Sequence, residues 1–192
     1  MTAELITYFT FGWDHIVSAD ALDHQLFLLA LIWPMAAGKV RNLLILITAF
    51  TIGHSITLAL SSTGTLRIST SAIEFLIPVS IFITALMHWF EGGDSGRFPA
   101  IFGLTGMFGL LHGLGFANTL RQMLGKEDAL LLPLFGFNLG VEAGQILILA
   151  LILMLHYLLR RLLPDSESRV VKPVLILVML GSIWMIWQRM PF

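Results

Sequence analysis

The sequence contains no cysteine and few charged residues, and both shortages restrict what the chain can be. Its 192 residues include 0 cysteines, so disulfide bonds and thiolate metal sites are excluded and any metal site must use nitrogen and oxygen ligands. Charged residues make up 12% of the chain and hydrophobic residues 57%, whereas soluble domains carry about 25% charged residues. A soluble domain of this size has too little interior for so much apolar side chain. The composition therefore predicts an integral membrane protein.

The chain also lacks the charge patterns of two other classes of protein. It has no basic tail and no basic patch with interleaved aromatic residues, and its formal net charge is -1. Nucleic acid is therefore not an expected partner. The first residues carry no basic region of the kind that begins a cleaved signal peptide. The expected surroundings are a lipid bilayer.

Apolar stretches separated by short polar connections predict about six membrane-spanning helices. A spanning helix needs about 20 mostly apolar residues, and the candidates are residues 23–37, 40–60, 70–90, 98–120, 129–161 and 171–188. The fifth stretch is so long that it must tilt, protrude or be interrupted near Pro133. Residues 2–19 are amphipathic and are expected to lie in the membrane interface. We therefore expect an all-α integral membrane protein, with one helical bundle forming a single domain over residues 1–192.

Basic residues are divided unevenly between the two sides that alternating helices define. Because cytoplasmic loops carry an excess of Lys and Arg, the side with more of them is predicted to be cytoplasmic. Both chain termini are then outside, in the bacterial inner membrane. The larger set is Lys39, Arg41, Arg97, Arg160, Arg161, Arg169 and Lys172, and the smaller set is Arg67, Arg121, Lys126 and Arg189.

Ionisable side chains occur within the predicted spans, where each costs about 2.5–3.5 kcal/mol on insertion and is usually functional. Because neighbouring helices alternate in direction, these side chains are expected to share the outer half of the membrane, with Glu142 near the midplane. Neutral imidazoles and carboxylates are suitable ligands for nickel, cobalt, zinc or iron. The predicted metal-binding residues are Asp23, His24, His54, Glu74, His112 and Glu142.

Further polar residues accompany two of these candidates at helical spacing. They lie beside His54 and Glu142, and they are Thr51, Ser55, Asn138 and Gln145. The same side chains also fit a simpler role, a hydrogen-bonded network that only holds helices together. Three other histidines lie near predicted span ends and are interpreted as incidental: His15, His88 and His156.

Glycines recur at three- and four-residue spacing on two predicted spans. Small residues at this spacing let helices approach closely. They predict packing against a neighbouring helix, or a homo-oligomer formed through the glycine-rich faces. These glycines are Gly106, Gly109 and Gly113 on the fourth predicted span and Gly136, Gly140 and Gly144 on the fifth.

Four motifs resemble the HupE/UreJ family of hydrogenase- and urease-accessory membrane proteins. They are DHQLFLLAL from residue 23, AFTIGHSITL from residue 49, FGLLHGLGFA from residue 108 and GFNLGVEAGQ from residue 136. The resemblance implies a small bacterial inner-membrane protein associated with nickel or cobalt uptake for metalloenzyme maturation. It also implies that Asp23, His24 and His112 handle the metal.

The chain departs from the nickel-permease branch of that family at two motifs. That branch has His-x5-Asp-His in its first span, whereas seven residues separate His15 from Asp23 here. Phe108 and Gly115 stand where that branch has a histidine and a glutamate. The chain resembles the second branch of the family more closely, and other buried ionisable residues are expected to replace the missing ligands.

Three functions are compatible with these residues. The first is a permease for a divalent transition metal, which would enter past the acidic N-terminal residues. The second is an intramembrane metalloenzyme, in which a metal-bound water is activated and Glu142 or Glu74 acts as the base. The third is a haem b electron carrier with His54 and His112 as axial ligands.

Overall fold

The chain folds into helices throughout the part that the structure, a computed structural model, describes. That part comprises residues 2–38, 40–66, 68–91, 98–124, 130–162 and 167–190. The α-helices are α1 (Thr2–Val17), α2 (Leu22–Ile32), α3 (Val40–Ser62), α4 (Thr70–Glu91), α5 (Phe98–Leu124), α6 (Leu131–Leu162) and α7 (Glu167–Gln188). A short 3₁₀ helix, Trp33–Met35, extends α2.

Five helices, α3 to α7, are each long and apolar enough to cross a membrane. α1 and α2 pass the same test only together, as a pair bent by 66°. The predicted all-α membrane fold with about six spans is therefore confirmed. The sequence interpretation separated residues 2–19 from the first span, whereas the structure joins α1 to α2 as one bent unit packed on the bundle. The predicted start of the fifth span, Ala129, lies outside the described residues.

From the sequence, the fifth span must tilt, protrude or be interrupted near Pro133. The structure excludes the interruption, because α6 is continuous over 32 residues. Pro133 is the third residue of the helix, in the first turn. A backbone N–H in that turn has no acceptor within the helix, so proline removes no hydrogen bond there. The helix is not interrupted, and its length requires tilt or protrusion instead.

Two pairs of parallel helices are packed through glycine. In the α1–α6 pair, a Cβ atom on Gly12 would overlap the carbonyl oxygen of Phe137. In the α3–α5 pair, a Cβ atom on Gly113 would overlap the carbonyl oxygen of His54. The pairs make the most extensive helix contacts in the described part of the chain. The prediction that the glycines pack against a neighbouring helix is thus met within one chain, and these faces give no support to the predicted homo-oligomer.

The bundle has two chemically different ends. At one end, called the site end, Asp20, Glu74 and Arg189 line a common pocket. At the other, called the basic end, Arg160 and Arg161 line a cavity together with residues around the start of α3. The helices alternate between these ends as the sequence predicted. Which end faces the cytoplasm stays a prediction, and it rests partly on residues outside the described ranges: Lys39, Arg67, Arg97 and Lys126.

Candidate metal centre

Three histidines from three different helices converge toward the site end. They are His15 of α1, His24 of α2 and His54 of α3, and one ligand nitrogen from each lies within 4.8 Å of the others. Within the described ranges this is the one group of three or more metal-binding side chains so close together. His24 is 4% exposed and His54 is 0% exposed. We call these residues the histidine cluster.

His112 of α5 lies beside the cluster. Its ring centroid is 4.9 Å from that of His24, and the side chain is buried. Its Nδ1 donates to the carbonyl oxygen of Phe108 over 2.8 Å, so the proton is on Nδ1 and the lone pair is on Nε2. The Nε2 atom has no hydrogen-bond partner in the protein. His112 therefore presents an unpaired ring nitrogen next to the cluster.

Asp23 fixes the orientation of His24 in the same way. Oδ1 of Asp23 lies 3.0 Å from Nδ1 of His24, so the imidazole donates its Nδ1 proton to the carboxylate and keeps a lone pair on Nε2. A carboxylate in this position is the usual orienting partner of a metal-binding histidine, and it raises the basicity of the ring. The other carboxylate oxygen, Oδ2, faces Nη1 of Arg189 at 3.4 Å.

The cluster contains an unusual number of buried nitrogens without partners. They include Nε2 of His15, His24 and His112, and both ring nitrogens of His54. Buried polar atoms in proteins are nearly always hydrogen-bonded, because an unpaired one costs about 1–3 kcal/mol. The donor set, neutral imidazole nitrogen, is one that nickel, cobalt, zinc and iron accept. The residues therefore fit a transition-metal ion.

A turn between α1 and α2 brings His15 against His24. Their ring centroids are 4.5 Å apart, although the residues lie on different helices. The side chain of Gln25 stabilises this turn, because its Nε2 donates to the carbonyl oxygen of Ser18 over 2.8 Å. The same carbonyl also accepts a hydrogen bond from the backbone N–H of Ala21 over 3.1 Å, so backbone and side chain together fix the turn that follows α1.

A pocket of about 360 Å³ leads to the cluster from the site end. His15, His24 and His112 line it together with the exposed residues Asp20 and Glu74. The pocket therefore connects exposed acidic side chains with buried imidazoles.

Three buried phenylalanines lie on the other side of the cluster, toward the basic end. They are Phe27, Phe50 and Phe108, and we call them the phenylalanine layer. The ring centroid of Phe27 is 5.0 Å from that of Phe50 and 6.1 Å from that of Phe108. Each is three or four residues from His24, His54 or His112 along its own helix. The layer thus closes the site on this side.

Several predicted site residues have other partners. Oε1 of Glu142 accepts a hydrogen bond from Thr48 over 2.8 Å, and Oε1 of Gln145 accepts one from Thr51 over 2.8 Å. These bonds join α6 to α3, and neither acceptor bonds to a cluster histidine. Ser55 donates to the carbonyl oxygen of Thr51 over 2.6 Å within α3.

The structure thus sorts the predicted site residues into groups. Asp23, His24, His54 and His112 come together, and Glu74 lies at the mouth of their pocket. Glu142 and Gln145 form the separate α3–α6 contacts. Buried polar atoms without a hydrogen-bond partner remain on three residues of α6: Oδ1 of Asn138, Oε2 of Glu142 and Nε2 of Gln145.

His15 is the candidate that sequence reasoning missed, because residues 2–19 were interpreted as an interfacial segment. One signal was present, the His-x7-Asp-His spacing, which resembles His-x5-Asp-His with two additional residues. Of the other histidines interpreted as incidental, His156 packs its ring 5.4 Å from that of Trp33, and His88 is buried within α4.

The fold and the site define a multi-pass helical membrane protein with a histidine cluster suited to a transition metal. The chain belongs to the HupE/UreJ family, because the family model described as HupE / UreJ protein matches residues 1–189. The resemblance noted in the sequence is confirmed. Members of this family are nickel/cobalt accessory membrane proteins. Comparisons with curated proteins and with solved structures find no significant match.

Proposed function

We propose that the chain binds a divalent transition-metal ion at His15, His24 and His54, with His112 alongside, and carries it across the bacterial inner membrane. The observation that carries the proposal is the set of buried imidazole nitrogens without partners. Family membership favours nickel or cobalt as the cargo. The ligand chemistry also admits zinc or iron.

The spacing of the cluster supports this proposal. Ligand nitrogens at about 2.1 Å from an ion in tetrahedral geometry are about 3.4 Å apart. The three nitrogens lie within 4.8 Å of one another, so side-chain rotations that move them by about 1 Å suffice.

Acidic residues at the mouth support entry from the site end. Asp20 and Glu74 line the pocket and are exposed. Carboxylates in a narrow opening raise the local concentration of cations. In this proposal Glu74 attracts the ion and the imidazoles bind it. A direct bond between the metal and Glu142 stays a prediction, because its Oε1 accepts a hydrogen bond from Thr48 while its buried Oε2 has no hydrogen-bond partner.

The phenylalanine layer makes transport depend on a second conformation. Phe27, Phe50 and Phe108 are at most 4% exposed. An ion that crossed these packed apolar rings would lose its water at a very large cost in free energy. An inward-open state must therefore separate these rings.

The pocket opens the site at the site end, and the phenylalanine layer closes it on the other side. Access from one side favours an alternative function, an intramembrane metalloenzyme. A catalytic metal needs access from a single side only, and of the two candidate bases toward metal-bound water Glu74 lines the pocket whereas Glu142 does not. In the enzyme the phenylalanine layer would stay closed throughout the reaction.

Two measurements test the proposal. The first is metal content after purification in mild detergent, compared between wild type, the variant His15→Ala/His54→Ala and the control His156→Ala. The control removes a buried histidine that packs on Trp33 instead of the cluster. We expect near-stoichiometric metal in wild type and control and none in the double variant. Equal metal in all three would refute the site.

The second measurement is metal flux into proteoliposomes. Flux that depends on His15 and His54 supports a transporter. Tightly bound, histidine-dependent metal with no flux would refute transport and favour the metalloenzyme.

A further inference from the structure

Arg189, just after the end of α7, places a positive charge inside the pocket that leads to the histidine cluster. Its Nη1 lies 3.4 Å from Oδ2 of Asp23 and 3.5 Å from the carbonyl oxygen of Glu74. The Arg189 side chain is 31% exposed and that of Asp23 is 16% exposed. Among the described residues that line the pocket, Arg189 is the one Lys or Arg.

We propose that Arg189 is a tethered cation that competes with the incoming metal ion for Asp23 and so lowers the affinity of the site. The inference rests on the proposed function and names a residue that regulates the same site. Arg189 touches the carboxylate that orients His24, so the positive charge and the candidate metal ligands are connected through one residue.

The competition follows from charge. Arginine stays protonated in proteins, so it cannot leave the carboxylate by losing a proton and must move away from it. While it stays, it neutralises Asp23, reduces the basicity that Asp23 confers on His24, and repels a divalent cation across a partly buried gap. Each effect weakens metal binding.

The positively charged side chain of Arg189 can move away from Asp23 without breaking the contact between Asp23 and His24. Asp23 accepts two contacts through different oxygens, Oδ1 from His24 and Oδ2 from Arg189. Departure of Arg189 therefore frees one carboxylate oxygen and leaves the bond to His24 intact. The contact of Arg189 with Glu74 is to a backbone oxygen, so the Glu74 carboxylate is not what holds the guanidinium.

The test is the dissociation constant for Ni²⁺, measured by titration of the purified full-length protein. We expect Arg189→Gln to bind Ni²⁺ about five- to tenfold more tightly than wild type, the range for losing a partly exposed ion pair together with a repulsive charge. Arg189→Lys keeps the charge and is expected to stay within about twofold of wild type. Arg41→Gln is the matched control, because Arg41 is exposed in the first turn of α3, near the basic end.

A double-mutant cycle identifies Asp23 as the mediator. In the Asp23→Asn background we expect Arg189→Gln to tighten binding clearly less than in the wild-type background, because the competition for the carboxylate is gone and only the direct charge repulsion remains. An equally large gain in both backgrounds would overturn the competition at Asp23.

Failure of the inference and failure of the proposed function give different results. If wild type binds Ni²⁺ through the histidines and Arg189→Gln binds it equally or more weakly, while size-exclusion behaviour is unchanged, Arg189 is not a competitor and only this inference fails. If wild type shows no histidine-dependent binding, both fail.

Discussion

The Nδ1 atom of His112 lies 2.8 Å from the carbonyl oxygen of Phe108, one helical turn earlier in α5. This one relationship has two effects on the site. The backbone of Phe108 selects the imidazole tautomer that directs the Nε2 lone pair toward the cluster. The ring of Phe108 forms part of the phenylalanine layer that closes the site on the side toward the basic end. The same residue thus orients a candidate ligand and limits access to it.

Asp23 is expected to act as an orienting partner of His24. Asp23→Asn removes the negative charge and weakens the acceptor at Nδ1 of His24, so we expect metal affinity to fall about 10–100-fold. Titration of purified protein with Ni²⁺ measures the change. Asp20→Asn is the control, because Asp20 lines the same pocket but is exposed. Equal losses in both variants would mean that overall charge, and not orientation of His24, controls affinity.

Metal binding is expected to weaken as the pH falls. The proposed ligands are neutral imidazoles, and protons compete with the metal for the same Nε2 lone pairs. Affinity for Ni²⁺ should therefore decrease as the buffer is made more acidic. Isothermal titration at several pH values measures this. Affinity that rises as the pH falls would contradict histidine ligation.

The α3–α5 pair should be sensitive to an added methyl group at one glycine and indifferent at another. A Cβ atom on Gly109 would overlap the backbone of Phe50, whereas one on Gly103 meets nothing within 4 Å. Both glycines are in α5, so Gly→Ala gains about 1 kcal/mol of helix propensity at either position. We expect Gly109→Ala to destabilise the protein by about 1–3 kcal/mol and Gly103→Ala to be neutral or stabilising.

Thermal unfolding in detergent compares the two glycine variants. Similar melting temperatures for both would show that the close approach of α3 and α5 is not required for stability.

Glu142→Gln decides whether this carboxylate is a ligand or an interhelical contact. Glutamine keeps an oxygen that accepts a hydrogen bond from Thr48, so we expect unchanged stability and an affinity for Ni²⁺ within about twofold of wild type. A loss of metal binding comparable to that of His54→Ala would instead establish Glu142 as a ligand. The comparison uses the same titration as for Asp23.

Sequence periodicity predicted the helices well because lipid imposes one requirement on every span, an apolar stretch of sufficient length. α3 and α4 begin at the predicted residues, Val40 and Thr70. The environment of α1 was not predictable in the same way. Its amphipathic pattern fits an interfacial helix and a helix packed along α6 equally well. The close packing of α1 against α6, as in the contact of Gly12 with the backbone of Phe137, distinguishes them.

The side chains that come together in the structure could be predicted where residue chemistry alone is sufficient, and not where folding decides. His24, His54 and His112 are ionisable groups within apolar spans, which is a local signal. The positions of His15 and Arg189 depend instead on the 66° bend between α1 and α2 and on where α7 ends. The interhelical partners of Glu142 likewise depend on how α6 is rotated against α3.

The histidine cluster and His112 are distributed over two glycine-packed helix pairs and α2. His54 and His112 belong to the glycine-packed α3–α5 pair, His15 belongs to the α1–α6 pair, and His24 lies on α2. A small rotation of one pair against the other would change the spacing between imidazoles while leaving each pair internally intact. Affinity for a metal would then vary with the angle between the pairs, so that tilting them apart would release the ion without any competing ligand.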